Sequence, residues 1–175
     1  EVKVCDPETG ETLPDGDIGV VEVRGPNVFQ GYWRMPEKTA AELRADGFFI
    51  TGDLGVMDDQ GYLSIVGRGK DLIISGGYNI YPKEIELLLD DQPGVMESAV
   101  IGAPHADLGE APVGVLVAQP DAALDIEAIN TALAGKLARF KCPRALVVID
   151  ELPRNAMGKV QKNLLRAQYA DVFAL

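Results

Sequence analysis

The sequence predicts an α+β protein in two parts: the end of a β-rich, barrel-like domain over residues 1–67, then a small α+β domain over residues 68–175. Up to residue 66, short apolar runs are split by turns rich in Gly, Pro and Asp, the texture of antiparallel strands. From "GRGKD" onward, stretches with helical spacing of apolar residues alternate with short strands. A composition that is 47% apolar over 175 residues is enough to build a real core.

In the first part, "EVKVC", "IGVVEVRG" and "GYLSIVG" read as strands, separated by the turn-rich "DPETGETLPDGD" and by "MPEKTAAEL", a short helix with Pro36 early and Leu43 near its end. These strands have no obvious closing partners. With an opening that has no Met and no leader pattern, they read as the tail of a larger domain whose beginning is missing. In the second part, "DLIISGG" is a strand ending in a double-glycine turn, and "YPKEIELLLDDQ" is a helix with Pro82 at its start and acids in its first turns. "VMESAVIGAP" and "APVGVLVAQ" are strands. Asp125 caps a helix whose Ile126, Ile129, Leu133 and Leu137 fall on one stripe, "ALVVID" is a strand, and a last helix starts near Lys162. The change of texture puts a hinge near residues 67–71.

Sixteen basic against twenty-seven acidic side chains give a net charge of −11, which repels a polyphosphate duplex, so no nucleic-acid partner is expected and a small anion needs a local positive site. The longest apolar runs, such as "ALVVI", are too short to span a bilayer. Cys5 and Cys142 lie far apart without a CxxC spacing, so they read as buried or partly buried thiols in a reducing cytoplasm rather than as metal ligands or a disulfide.

Three polar stretches stand out. In "FFITGDLG", an aromatic strand runs into a turn at Thr51, Gly52 and Asp53; the Asp53 carboxylate either caps that turn or accepts two hydrogen bonds from a vicinal diol such as a ribose. In "GRGKD", Arg68 either forks onto a ribose or phosphate oxygen or is a solvated turn residue, and Lys70 sits where the textures meet. The pair Gly76 and Gly77 serves a tight turn or the close approach of a ligand. In "LPRNAMGKVQK", Lys159 after Gly158 is either an exposed lysine before the last helix or a point charge brought to a reacting phosphate. Neither a GxGxxG fingerprint nor a complete P-loop is present.

Taken together, "GYW", "ITGDLG", "GYLSIVGRGKDLIISGGYNIYPKEIE" and "LPRNAMGKVQK" resemble the consecutive C-terminal motifs of the adenylate-forming superfamily: acyl-CoA synthetases, carrier-protein adenylation domains and luciferases. "SGGYNIYPKEIE" is similar to acyl-CoA synthetases, and "NAMGKVQKNLLRAQYADVF" is most similar to malonyl-CoA synthetases.

The resemblance implies an AMP-forming acid–thiol ligase using ATP, coenzyme A and Mg²⁺, with a carboxylic acid such as malonate as substrate. It gives Asp53 the ATP ribose, Arg68 a second nucleotide contact, Lys70 the hinge, and Lys159 the bridge between acyl carboxylate and α-phosphate. Gly76 and Gly77 border the coenzyme channel, and Lys136, Arg139, Lys141 and Arg144 form a basic cluster that could meet the coenzyme's phosphates. Residues 68–175 become a mobile lid whose partner is the missing N-terminal domain. The phosphate loop, the Mg²⁺ ligand and the acyl pocket are expected upstream of Glu1, so the fragment alone is expected to be inactive. Family members are often acylated at the lysine matching Lys159, which implies a protein lysine acyltransferase or deacylase as a further partner. The alternatives are a domain that loads a carrier protein, and an isolated non-catalytic lid that is a target of lysine acylation.

Overall fold

The computed structural model describes residues 1–174, which divide into two compact units, one from Glu1 to Lys70 and one from Asp71 onward. The chain passes from one to the other between Lys70 and Asp71, because the strand carrying Gly67 and Arg68 runs on past Gly67, where the change of texture in the sequence places the break.

The first unit is a four-stranded antiparallel sheet in the order β1 (Val2–Cys5), β2 (Ile18–Val23), β3 (Phe49–Met57), β4 (Leu63–Arg68). Within these residues it is an open sheet, not a closed barrel, with β1 and β4 as its edges. Between β2 and β3 lies α1 (Pro36–Glu42), whose proline stands in the first turn, where a missing N–H costs nothing. The unit is held partly by charge. Glu22 of β2 is fully buried; Arg44 lies 2.6 Å from its Oε1 and Lys3 3.3 Å from its Oε2. The Glu22 hydrogen bond raises the Arg44 pKa further. Cys5 is buried here, and Cys142 is half-buried in the second unit; both are free thiols.

The second unit is built on a five-stranded sheet. Its long hairpin, β7 (Val95–His105) and β8 (Gly109–Ala118), pairs antiparallel over its whole length. On the other side of β8 stand the hairpin β5 (Ile73–Ser75) and β6 (Tyr78–Ile80), and β9 (Ala145–Ile149), which pairs parallel. Helices cover both faces. One apolar cluster joins Ile85 and Leu89 of α2 (Pro82–Asp90) to Ile129 and Leu133 of α3 (Ile126–Ala134) over Val100 and Leu116. The other joins Leu165 of α4 (Lys162–Gln168) to Ile101, Val113, Val115 and Val117. Alternate residues of β7 and β8 feed the two clusters, as the period of two in a strand requires.

The Asp125 side chain accepts the Ala128 N–H at 3.0 Å and starts α3. The stripe predicted to end at Leu137 outlasts the helix: α3 stops at Ala134, but Leu137 still donates to the Leu133 carbonyl at 2.8 Å and is buried in the first cluster. Among the described residues no helix is long and apolar enough to cross a membrane.

Candidate functional site

In the first unit the polar groups of "ITGDLG" and "GRGKD" meet because β3 and β4 are neighbours in the sheet. Asp53 and Arg68 are cross-strand partners, and Asp53 Oδ1 lies 2.7 Å from Arg68 Nε. The sequence alone puts Asp53 on a turn. Instead β3 continues through it, and only Gly52 takes a turn-like backbone (φ +75°), followed by a register shift between Leu54 and Gly55. Thr51 braces the kink: its hydroxyl donates to the Val21 carbonyl (2.8 Å) and accepts the Asp53 N–H (3.1 Å). The arginine side chain is half exposed and the carboxylate 29% exposed, so the pair is weakly held and open to exchange with a ligand.

Both residues line a groove of about 880 Å³ within this unit, with Thr51, Lys38, Glu42 and Tyr32 among its other walls. Tyr32 donates its hydroxyl to Glu42, and this hydrogen bond holds the phenol above its usual pKa. Lys38 lies 4.4 Å from the Tyr32 ring centre. The groove thus offers carboxylates and cations side by side, a set suited to a ligand that carries both hydroxyls and negative charge. Lys70 stands at its rim, in the 3₁₀ turn Gly69–Asp71.

In the second unit, Gly76 and Gly77 are the central residues of the β5–β6 hairpin, with φ of +57° and +83°. Positive φ at both positions is the primed turn that matches strand twist, which explains the glycines without a ligand. Gly76 donates to the Leu108 carbonyl at 2.9 Å, and a Cβ on Gly77 would meet open space. Beside the hairpin Tyr78 stacks on Phe140, ring centres 4.6 Å apart. The expected basic cluster is only partly free: Lys141 is committed to Glu84 at 2.8 Å, while Lys136, Arg139 and Arg144 are exposed.

Lys159 stands at an ordered tight turn. Gly158 (φ +77°) donates to the Asn155 carbonyl at 2.9 Å, and the Asn155 side chain accepts the N–H groups of Met157 and Lys159, each at 3.0 Å. Arg154 and Val160 close the turn with an isolated bridge. The Lys159 side chain is exposed and has no partner among the described residues. Glu86, buried on α2, receives Lys162 from the start of α4 at 2.5 Å. Sequence reasoning misses this pair, although Glu86 shares a helical face with Pro82, Ile85 and Leu89, and a carboxylate on such a face announces a partner.

Residues 84–159 match the family model of the AMP-binding enzyme C-terminal domain. The matched residues lie within the second unit and make up most of it. The chain is 47% identical to the 3-[(3aS,4S,7aS)-7a-methyl-1,5-dioxo-octahydro-1H-inden-4-yl]propanoyl:CoA ligase of Rhodococcus jostii, covering 87% of this chain and 30% of the relative. To the indoleacetate–CoA ligase of Aromatoleum aromaticum it is 45% identical, covering 91% and 31%. Among solved structures, ATP-bound MatB from Rhodopseudomonas palustris superposes with a TM-score of 0.93 at 59% identity, over 99% of this chain and 34% of that one. The chain therefore spans about a third of the length of the proteins it matches. Lys159 is the last of the matched residues, while Asp53, Arg68, Lys70, Gly76 and Gly77 lie before them. Among the described residues no group of three or more His, Cys, Asp or Glu side chains is placed to hold a metal.

Proposed function

We propose that this chain is the C-terminal part of an ATP-dependent acyl-CoA synthetase that activates a short carboxylic acid, malonate or one like it, and passes it to coenzyme A. The observation that carries the reading is Lys159: an exposed ammonium, unpaired among the described residues, on an ordered turn at the end of the stretch matched to AMP-binding enzymes. The choice of malonate rests on the higher identity to MatB, a malonyl-CoA synthetase, than to the two ligases of bulkier acids: 59% against 47% and 45%.

In the first half-reaction a carboxylate oxygen of the acid bonds to the α-phosphorus of ATP, and the bond from that phosphorus to pyrophosphate breaks. Negative charge grows on the phosphoryl oxygens, and Lys159 stabilises it more in the transition state than in the ground state. Asp53 accepts the ribose hydroxyls and Arg68 takes a second nucleotide contact, each giving up part of its bond to the other. In the second half-reaction the coenzyme sulfur bonds to the carbonyl carbon, the bond to AMP breaks, and the thiol proton leaves to solvent. The coenzyme passes Gly76 and Gly77, with exposed Lys136, Arg139 and Arg144 available to its phosphates. Lys70 is the hinge about which the second unit turns between the two steps. Because the turn bearing Lys159 is itself ordered, that rotation, and not a flexible loop, has to bring the lysine in and take it away. Acylation of Lys159 deletes its charge and has the effect of a substitution.

The test is Lys159→Ala in the full-length enzyme, with acyl-AMP formation and the consumption of supplied acyl-AMP by coenzyme A assayed separately. The first should fall roughly 10²–10³-fold and the second stay near its starting rate. Equal losses in both would sink the assignment.

A further inference from the structure

Resting on that reading of Lys159, we infer that the ion pairs Glu86–Lys162 and Glu97–Arg154 are positioning pairs that aim Lys159 for the first half-reaction. Among the described residues strand β7 is an edge of its sheet, with β8 on one side of it and no strand on the other. Glu86, only 8% exposed, meets that open edge: its Oε1 accepts the Val100 N–H at 2.9 Å. One backbone donor does not neutralise a buried carboxylate, and the remaining charge is met by the Lys162 ammonium at 2.5 Å. Lys162 is the first residue of α4, where the helix dipole disfavours a cation. The helix gains nothing from a lysine there, whereas Glu86 does.

The other foot of the turn is fastened to the same strand. Arg154 pairs with Glu97 of β7 through Nη2, while its Nη1 donates to the Gly158 carbonyl at 2.7 Å. Between the feet, Gln161 donates to the Pro153 carbonyl at 2.8 Å, and Asn155 donates to the Lys159 carbonyl at 3.0 Å. Both limbs of the turn are therefore tied to β7, three residues apart along it, at Glu97 and, through Glu86, at Val100. Only the side-chain torsions of Lys159 remain free. A lysine that must meet a phosphate in one step needs this placement, since a displacement of about 1 Å at a reacting group costs on the order of 10²-fold in rate.

The experiment uses the full-length enzyme with Lys159→Ala as the reference. Lys162→Met keeps most of the length of the side chain and removes its charge; Glu97→Gln loosens the more exposed foot and guards against a variant that fails to fold. The expected result for Lys162→Met is a loss of roughly 10–100-fold in acyl-AMP formation. The loss should lie in kcat more than in KM for ATP, with coenzyme A consumption of supplied acyl-AMP within about twofold of the parent. Lys162→Arg should recover most of the first activity, and Glu97→Gln should show a smaller loss of the same selectivity. Equal losses in the two half-reactions, or no loss in either variant, would overturn the positioning role while leaving the Lys159 assignment intact. If Lys159→Ala itself keeps full adenylation, the reading of Lys159 falls and the positioning role falls with it.

Discussion

Asp53 and Lys159 are both charged and both within reach of solvent, but they are presented in opposite ways. Asp53 sits within a strand and is already engaged by Arg68 at 2.7 Å, whereas Lys159 sits at a turn whose side-chain fastenings are made by other residues. A diol at Asp53 adds hydroxyl donors to a carboxylate that keeps part of its bond to Arg68, so the gain falls on affinity. A ligand at Lys159 meets an ammonium that has lost nothing but water, and the gain falls on whichever state carries most negative charge. The two units differ in their cores as well. Among the described residues nineteen apolar side chains are buried in the second and five in the first, where Glu22 and its cations do part of the work. Precision at Lys159 thus rests on a dense core, and the looser Asp53–Arg68 pair rests on a thin one.

The largest effect should come from thinning the denser core. Ile85 is fully buried on α2, the helix that also carries Glu86. Ile85→Ala should destabilise the chain by about 2–5 kcal/mol in denaturant unfolding. A loss below about 1 kcal/mol would mean that the contrast between the cores has no energetic content.

Next is the exchange at the first site. On the proposed reading, Asp53→Ala in the complete enzyme removes a charged acceptor from the ribose diol, and nucleotide affinity should weaken by about 1.5–3 kcal/mol, read by equilibrium ATP binding. Folding should suffer less, since the lost pair with Arg68 is half exposed. Unchanged affinity would remove Asp53 from the nucleotide site.

What can be read from the sequence, and what cannot, follows the same division between local and distant interactions. Pro36 and Pro82 at helix starts, Asp125 as a cap and Gly76–Gly77 as a turn are legible because each signal acts within a few residues. The placement of Asp53 is misread for the complementary reason. A glycine followed by aspartate is a turn signal, and pairing with β2 and β4 keeps the chain extended beyond Gly52. The partners Asp53 and Arg68 are 15 positions apart and Glu86 and Lys162 are 76 apart, separations that no local pattern encodes. The motifs single out the exposed candidates Asp53, Arg68 and Lys159, and no motif singles out the buried Glu86 with its partner Lys162.

A smaller effect probes one of those local signals. The Asp125 side chain supplies a single capping bond to Ala128 at the start of α3, whose Ile129 and Leu133 belong to the dense core. Asp125→Ala should cost about 1 kcal/mol, with Asp125→Asn recovering most of it because the amide oxygen still accepts the bond. If the Asn variant were as damaged as the Ala variant, charge near the helix start, and not the hydrogen bond, would be the source.

The smallest effect should be found on the exposed apolar surface of the first unit. Ile65 of β4 is 53% exposed and pairs across the sheet with Gly55, which offers no side chain to pack against. Ile65→Thr keeps the branch at Cβ that suits a strand and removes apolar surface that is already half wet, so stability should change by no more than about 0.5 kcal/mol. Set beside Ile85→Ala, the pair of variants replaces the same residue type in the two units and reads the difference in their cores directly. A loss at Ile65 approaching that at Ile85 would mean that this face of the sheet is covered in solution. The thin core of the first unit would then be completed by whatever covers it, and the contrast with the second unit would lie in what each unit needs from outside rather than in how well each is packed.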